Sequence, residues 1–314
     1  MASTPAGAGD LHQFTGFLLR RAYVVCREHA EVCIGEDSTV REVPALTLIR
    51  DNEAISQRRL GELLNLNRTT TGKLVDALES KGWLVRDHDA RDRRTYALRL
   101  TDEGQHVLSV LHRALDRGEA HLTGPLSRAE HDRLAKELQA LLAGDATLPI
   151  QGLGNRCGYL IARAHGLMCR RAAHALEPLG LTPRDFGVLS ALATAQPCSQ
   201  QRLAAIMGVS APGVLAFVDE LESAGLVTRR RNVSDRRAYD LTLTDHGAAV
   251  LEAARGVALD LQSSIARALG AEADADLRAL LTKVIGAGSM RDAVGPSRKE
   301  PQVRPVDLAT RRSS

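Results

Sequence analysis

The sequence predicts a mainly α-helical chain with small β-hairpin wings: two winged helix-turn-helix halves on a shared helical platform, related by a pseudo-two-fold. Three observations carry that prediction. Ser56 to Leu108 (SQRRLGELLNLNRTTTGKLVDALESKGWLVRDHDARDRRTYALRLTDEGQHVL) matches Ser199 to Leu251 without a gap, 143 positions later, and 22 of the 53 paired residues are identical. Only 3% of the 314 residues are aromatic while 44% are hydrophobic, so the cores must be filled by Leu, Val, Ala and Ile, which suits helices. Long stretches of helical spacing also flank each repeat, more than a helix-turn-helix needs for itself.

The length suits two domains at roughly 100–200 residues each, and the repeat sets the division. The expected organisation is a disordered tail over 1–10, a first domain over 11–145, a second over 146–288 and a disordered basic tail over 289–314. The tails are rich in Gly, Pro, Ser and charge, a composition that cannot bury enough apolar surface to fold.

Within the first repeat, Leu60, Leu63, Leu64 and Leu66 have helical spacing behind Ser56, a good N-cap. A turn over Asn65 to Asn67 leads to a second helix from about Arg68 to Ser80, with Thr71, Leu74, Val75 and Leu78 inward and Gly82 closing it. Helix, tight turn and helix at this spacing is the helix-turn-helix pattern. Trp83 to Arg86 and the alternation of Tyr96, Leu98 and Leu100 then predict a β-hairpin with a charged tip. Thr101-Asp102 caps the next helix. The second repeat follows the same order from Ser199 to Thr244-Asp245. The flanking helices, Leu11 to Glu31, 102–142, Gly158 to Leu176 and 245–286, are expected to break near Gly124-Pro125 and Leu269-Gly270 and to pack the two halves together.

Net charge is only +3, so the whole-chain balance says little about a polyanionic partner. The distribution says more, because Arg and Lys cluster over 86–94 and 229–237, where they form local positive patches. Five cysteines without a CxxC pair, no apolar leader and no run of 18 apolar residues fit a reduced cytoplasm.

These residues resemble the MarR (multiple-antibiotic-resistance regulator) family. The second repeat carries the match most fully, in LTPRDFGVLSALA, LAAIMGVS, VDELESAGLVTRR, SDRRAYDLTLT and DHG; the first keeps VDALESKGWLVR, RDRRTYALRLT and DEG. The resemblance implies a cytoplasmic DNA-binding transcription regulator, a repressor by expectation, with two family units fused in tandem. Such regulators normally pair as homodimers through their terminal helices, so this chain looks like a dimer made covalent, needing no second copy to present two lobes. The alternative is an interaction or scaffold protein in which one or both lobes no longer bind DNA.

If it binds DNA, two lobes reach successive major grooves when about 34–36 Å apart. Base readout is expected from Asn67, Arg68, Thr69, Thr70 and Lys73 in the first half and from Ser210, Ala211 and Gly213 in the second, which is poorer in groups for base edges. Phosphate contacts are expected from Arg86, Arg91, Arg93 and Arg94, and from Arg229, Arg230, Arg231, Arg236 and Arg237. By resemblance, Asp92 and Asp235 brace a neighbouring arginine. The bland alternative is a solvated charged tip.

No nucleophile, phosphate-loop, dinucleotide or zinc-protease motif is present, so neither an enzyme nor a cofactor is expected. Cys26, His29 and Cys33 share a helix face at i, i+3 and i+7, yet read better as structural thiols beside a surface histidine than as a metal site. Cys26 and Cys169 correspond across the repeat and read as small apolar packing residues. By resemblance, a small aromatic or amphipathic ligand binds between platform and lobe, with Tyr23, Tyr159, His165 and Met168 as lining candidates; ordinary core positions are the alternative.

Overall fold

The computed structural model describes residues 13–35, 38–52, 54–88, 96–145, 150, 152–207, 211–231 and 239–287. In the first half the order is α1 (Thr15–Ile34), α2 (Glu42–Asp51), β1 (Ile55–Ser56), α3 (Gln57–Leu64), α4 (Arg68–Ser80), β2 (Leu84–His88), β3 (Tyr96–Leu100), α5 (Asp102–Leu122) and α6 (Arg128–Leu142). In the second it is α7 (Cys157–Leu176), α8 (Pro183–Ala195), β4 (Cys198–Ser199), α9 (Gln200–Met207), α10 (Ala211–Ser223), β5 (Val227–Arg231), β6 (Tyr239–Leu243), α11 (Asp245–Leu269) and α12 (Ala271–Ile285). The bounds of α3, α4, β2, β3 and α6 recur 143 residues later in α9, α10, β5, β6 and α12.

The same short-range chemistry starts the elements in both halves. Ser56 Oγ accepts from Arg59 N and Ser199 Oγ from Arg202 N, each at 3.2 Å, which satisfies one of the free amides at a helix start. Thr101 and Thr244 cap α5 and α11 in the same way. The expected breaks are present: α6 starts with a capping box of Ser127 and Glu130, and Gly270, at φ 89°, separates α11 from α12.

Each hairpin gains a strand too short to show as a periodicity. Ile55 and Ser56 pair antiparallel with Leu98 and Ala97, giving the order β1-β3-β2, and Cys198 and Ser199 do the same in β4-β6-β5.

The length suits two domains, and three hydrophobic cores form among the described residues. Each lobe has its own: one gathers Val43, Leu46, Leu60, Val75, Leu78, Leu84 and Leu98, the other Val188, Leu192, Leu203, Val214, Val218, Val227 and Leu241. The third lies between the halves, with Leu18, Leu19 and Ala22 of α1, Leu134 and Leu138 of α6, Ile161 and Ala164 of α7, and Leu277 and Leu281 of α12. The terminal helices carry apolar stripes that their own lobes do not cover, so they bury them on one another. No single helix among the described residues is long and apolar enough to cross a membrane.

One polar contact on this seam ties together positions equivalent by the repeat. Arg133 Nε donates to Asp276 Oδ2 at 2.8 Å, and these residues stand 143 apart in the chain. Nearby, Lys283 pairs with Glu130 at 2.5 Å.

Candidate nucleic-acid interface

The helix-turn-helix is held tight by one small residue. A Cβ on Gly61 of α3 would lie 2.7 Å from Thr71 Oγ1 on α4, so this pair leaves no room for a larger residue at 61; the second lobe packs Ala204 and Val214 at the same two positions. Asn67 caps α4, its Oδ1 accepting from Thr70 N at 2.8 Å. One acceptor of a side chain expected at base edges is therefore already engaged. Arg68, Thr69 and Lys73 stand exposed on α4, and Thr70 is half-buried. Exposed donors and acceptors on the first turns of this helix are what major-groove readout requires.

In the second lobe, α10 begins Ala211-Pro212-Gly213, with Pro212 exposed and Gly213 half-buried. Leu215 is 45% exposed there and Ile206, on α9, 50%. Ser210 lies outside the described residues, and Ala211 is described in its backbone alone.

The hairpins are fastened to these helices by motifs that occur twice. Gly82 and Gly225 turn the chain at φ 73° and 69°, in the left-handed region that glycine enters without strain. Thr101 Oγ1 donates to Gly82 O and Thr244 Oγ1 to Gly225 O, both at 2.7 Å. A Cβ on Gly104 or Gly247 would come within 1.9 Å of the Trp83 or Leu226 carbonyl oxygen. The L-T-x-x-G element is thus a Thr that caps a helix while gripping the preceding turn, then a Gly that lets the helix touch that turn.

Arg86 and Arg229, expected to meet phosphates, face inward to their own helices. Arg86 pairs with Asp76 and Glu79 of α4, and Arg229 with Asp219 and Glu222 of α10. The two carboxylates are three residues apart on one helical face, which places them to take one guanidinium between them. The geometry assigns these arginines to fixing the wing against its helix. Spacing held the signal, an Asp and a Glu one turn apart followed seven residues later by Arg.

Arg230 and Arg231 of β5 are exposed, where the first lobe has Asp87 and His88. Asp87 stands 3.6 Å from Arg99 across that hairpin. The tip residues Arg91, Asp92, Arg93 and Arg94, and their counterparts Asp235, Arg236 and Arg237, lie outside the described residues.

A cleft of about 1030 Å³ opens between the first lobe and the platform, lined among others by Tyr23, Lys73, Leu74, Tyr159, Arg163 and His165. Tyr23 of α1 stacks on His165 of α7 at 4.5 Å between centroids. Burial, and then the charge of Arg20, lowers the His165 pKa to about 4, which keeps the ring neutral near pH 7. Burial also raises the Tyr159 phenol, against the neighbouring Arg163. Met168, expected in this lining, packs instead into the platform core at 8% exposure. It lies three residues from His165, on the part of α7 that faces the seam. Asp145 holds Arg163 at 3.5 Å and Arg170 at 3.2 Å along the rim.

The spacing of Cys26, His29 and Cys33 does not gather them into a ligand set. Cys26 is buried, and so is His29, expected at the surface: its ring packs edge-on to His121 at 5.0 Å.

Comparison with known proteins bears on this arrangement. Two models described as MarR family match residues 39–96 and 179–238. A protein of Thauera aromatica, named for regulation of the hcr operon, is 33% identical over 144 residues, covering 45% of this chain and 84% of its own. The HTH-type transcriptional repressor Rv2887 of Mycobacterium tuberculosis is 30% identical over 127 residues, covering 40% and 91%. Among solved structures, the transcriptional repressor CouR bound to a 23-mer DNA duplex is 31% identical, covering 44% of this chain and 97% of its own, with a TM-score of 0.42. Each relative spans about one half of the chain. The chain belongs to the MarR family of transcription regulators and carries two of its winged helix-turn-helix units in tandem.

Proposed function

We propose that this chain is a cytoplasmic, non-enzymatic repressor that binds operator DNA as a single-chain counterpart of a dimer, with unequal lobes reading an asymmetric or pseudo-palindromic site. The observation that carries this is the repeat of the whole architecture at one offset, down to Arg133 and Asp276, equivalent positions that meet on the seam. In this proposal the domains are the two repeats, 11–145 and 146–288, each contributing helices to the common platform. Five free thiols support a reducing compartment.

Arg68, Thr69, Thr70, Lys73 and the free amide of Asn67 supply base readout in the first lobe. Gly213 and Ala211 allow close approach in the second, where Arg230, Arg231, Arg236 and Arg237 grip phosphate. Arg91, Arg93 and Arg94 do so for the first wing, with Asp92 and Asp235 as braces. Arg86 and Arg229 act through wing position.

The test is selection of bound duplexes from a random pool, followed by titration of the enriched site at two salt concentrations. A site with one strongly specified half and one permissive half supports the proposal, as does affinity falling steeply with salt, about a thousandfold or more between 50 and 200 mM for 6–10 phosphate contacts. No enrichment with a flat salt response supports the scaffold alternative.

The cleft suits a small amphipathic ligand with an aromatic part and a negative charge: Tyr23, Tyr159 and the neutral His165 offer ring faces, and Lys73 and Arg163 offer cations. Lys73 belongs both to this lining and to the recognition helix, so a ligand that prefers one position of α4 shifts DNA affinity. CouR has been solved with p-coumaroyl-CoA bound, which supports that class of ligand.

A further inference from the structure

Three side chains with different donor atoms converge where α5 ends and α6 and α7 begin. Glu119 is near the end of α5, His131 near the start of α6, and Cys157 is the first residue of α7; their ligating atoms all lie within 4.8 Å of one another. Glu119 is held in place: Oε1 accepts from Cys157 N at 2.5 Å and Oε2 from Gly158 N at 3.0 Å. His131 Nε2 stands 3.7 Å from Glu119 Oε1, and Cys157 is fully buried with Sγ 3.9 Å from the His131 carbonyl.

The other half shows the same place closed by hydrogen bonds. At the repeat offset, Gln262, Asp274 and Thr15 stand for Glu119, His131 and Gly158, and Phe14 for Cys157. Thr15 N donates to Gln262 Oε1 at 2.8 Å, as Gly158 N donates to Glu119. Thr15 Oγ1 and Gln262 Nε2 then donate to Asp274 at 2.6 and 2.9 Å. The backbone arrangement is common to both, but the hydroxyl and amide donors are gone from the first site. A carboxylate, an imidazole and a thiol meet there instead.

We propose that Glu119, His131 and Cys157 bind a divalent transition metal, with zinc the best fit and water as fourth ligand. One oxygen, one nitrogen and one sulfur donor form a zinc-type set, with bonds of about 2.0–2.3 Å and ligand atoms roughly 3.5 Å apart. Side-chain shifts of about 1 Å close the group to that size. Calcium and magnesium prefer oxygen donors throughout. On binding, the Cys157 thiol releases its proton to solvent as the sulfur–metal bond forms. Glu119 has lone pairs left on both oxygens, so it ligates while still capping α7. The metal joins two helix ends of the first half to the opening helix of the second, and the site is independent of whether either lobe binds DNA.

The test uses the full chain, stripped of metal and titrated with Co²⁺ as spectroscopic probe and then with Zn²⁺. The expected result is one equivalent of Co²⁺ giving a thiolate-to-cobalt charge-transfer band, displaced by Zn²⁺, with a higher unfolding temperature. Cys157→Ser removes the band, while His131→Ala and Glu119→Gln weaken Zn²⁺ binding by about tenfold or more; Cys33→Ser and Cys169→Ser leave all of it unchanged. Since Cys157 is buried, the partly exposed His131 gives a second variant that keeps the fold, checked by circular dichroism. A chain that shows no band, a band that survives Cys157→Ser, or zinc affinity unmoved by His131→Ala overturns the proposal.

Discussion

In the first lobe α4 turns Arg68, Thr69 and Lys73 to solvent, while α10 at the same place turns Pro212 and Leu215. On the hairpins the contrast reverses: Arg230 and Arg231 are exposed on β5 where β2 has Asp87 and His88. The residues that fix each wing to its helix do not differ. Asp76, Glu79 and Arg86 are matched by Asp219, Glu222 and Arg229, and Thr101 and Gly104 by Thr244 and Gly247. Divergence reaches the cores, where Ile55 and Leu84 correspond to Cys198 and Val227, but it changes the character of the exposed faces most, so one scaffold carries two chemically distinct surfaces.

The harshest way to break this comparison is to disable one lobe at a time. Gly104→Ala and Gly247→Ala each force a methyl into a backbone carbonyl at 1.9 Å. Each is expected to destabilise its lobe by about 3 kcal/mol, at the upper end for overpacking, read as a lower denaturation midpoint. Equal losses of DNA affinity from the two would show that the second lobe matters as much as the first.

Surface changes sharpen the contrast. Arg68→Ala is expected to cost about 1–3 kcal/mol on the preferred site and little on random DNA. Arg231→Ala should weaken both about equally and lower the salt slope by about one. Competition titrations across several salt concentrations separate the two, and a sequence-dependent loss at Arg231 would contradict the assignment.

The platform is unequal too, since the Tyr23–His165 stack has only Gly166 and Ala22 at the equivalent positions. His165 has its pKa lowered from 6.5 to about 4 by burial and Arg20. The folded chain thus binds fewer protons there than the unfolded one, and this contribution to stability is complete above pH 6.5 and lost as pH falls towards 4. Denaturant midpoints measured across that window should fall with acidification, and less so in His165→Phe.

The smallest expected effect is on the seam. Arg133 and Asp276 are solvent-accessible, so Arg133→Asp should lower the denaturation midpoint only slightly and the exchanged pair Arg133→Asp with Asp276→Arg should recover most of the loss. A double-mutant cycle on the denaturation midpoint reports the coupling.

The helix-turn-helix was legible because its signals are local. Ser56, Thr101 and Thr244 cap the helices that follow them by accepting from the amide three residues ahead, and glycines mark the turns, so α4 and the breaks near Gly124 and Gly270 could be placed from the chain alone. The flanking helices also announced a common platform, but which residues fill its core, such as Leu19 of α1 and Leu281 of α12, could not be read from spacing within either helix. The inward turn of Arg86 and Arg229 was written in the spacing of Asp76 and Glu79 but overshadowed by the basic run that follows. Met168 could be read either as cleft lining or as ordinary core, and it is core; periodicity tells which residues share a face, not what that face meets. Glu119, His131 and Cys157 sit on three successive helices and share no periodicity to read.

The Arg133–Asp276 contact has a genetic consequence. Were the halves separate copies of one gene product, any residue at that spot would confront its own duplicate, and an opposite-charge match would be unattainable. With both written in one reading frame, drift on one side can be answered on the other, and the matched partners are always synthesised one to one.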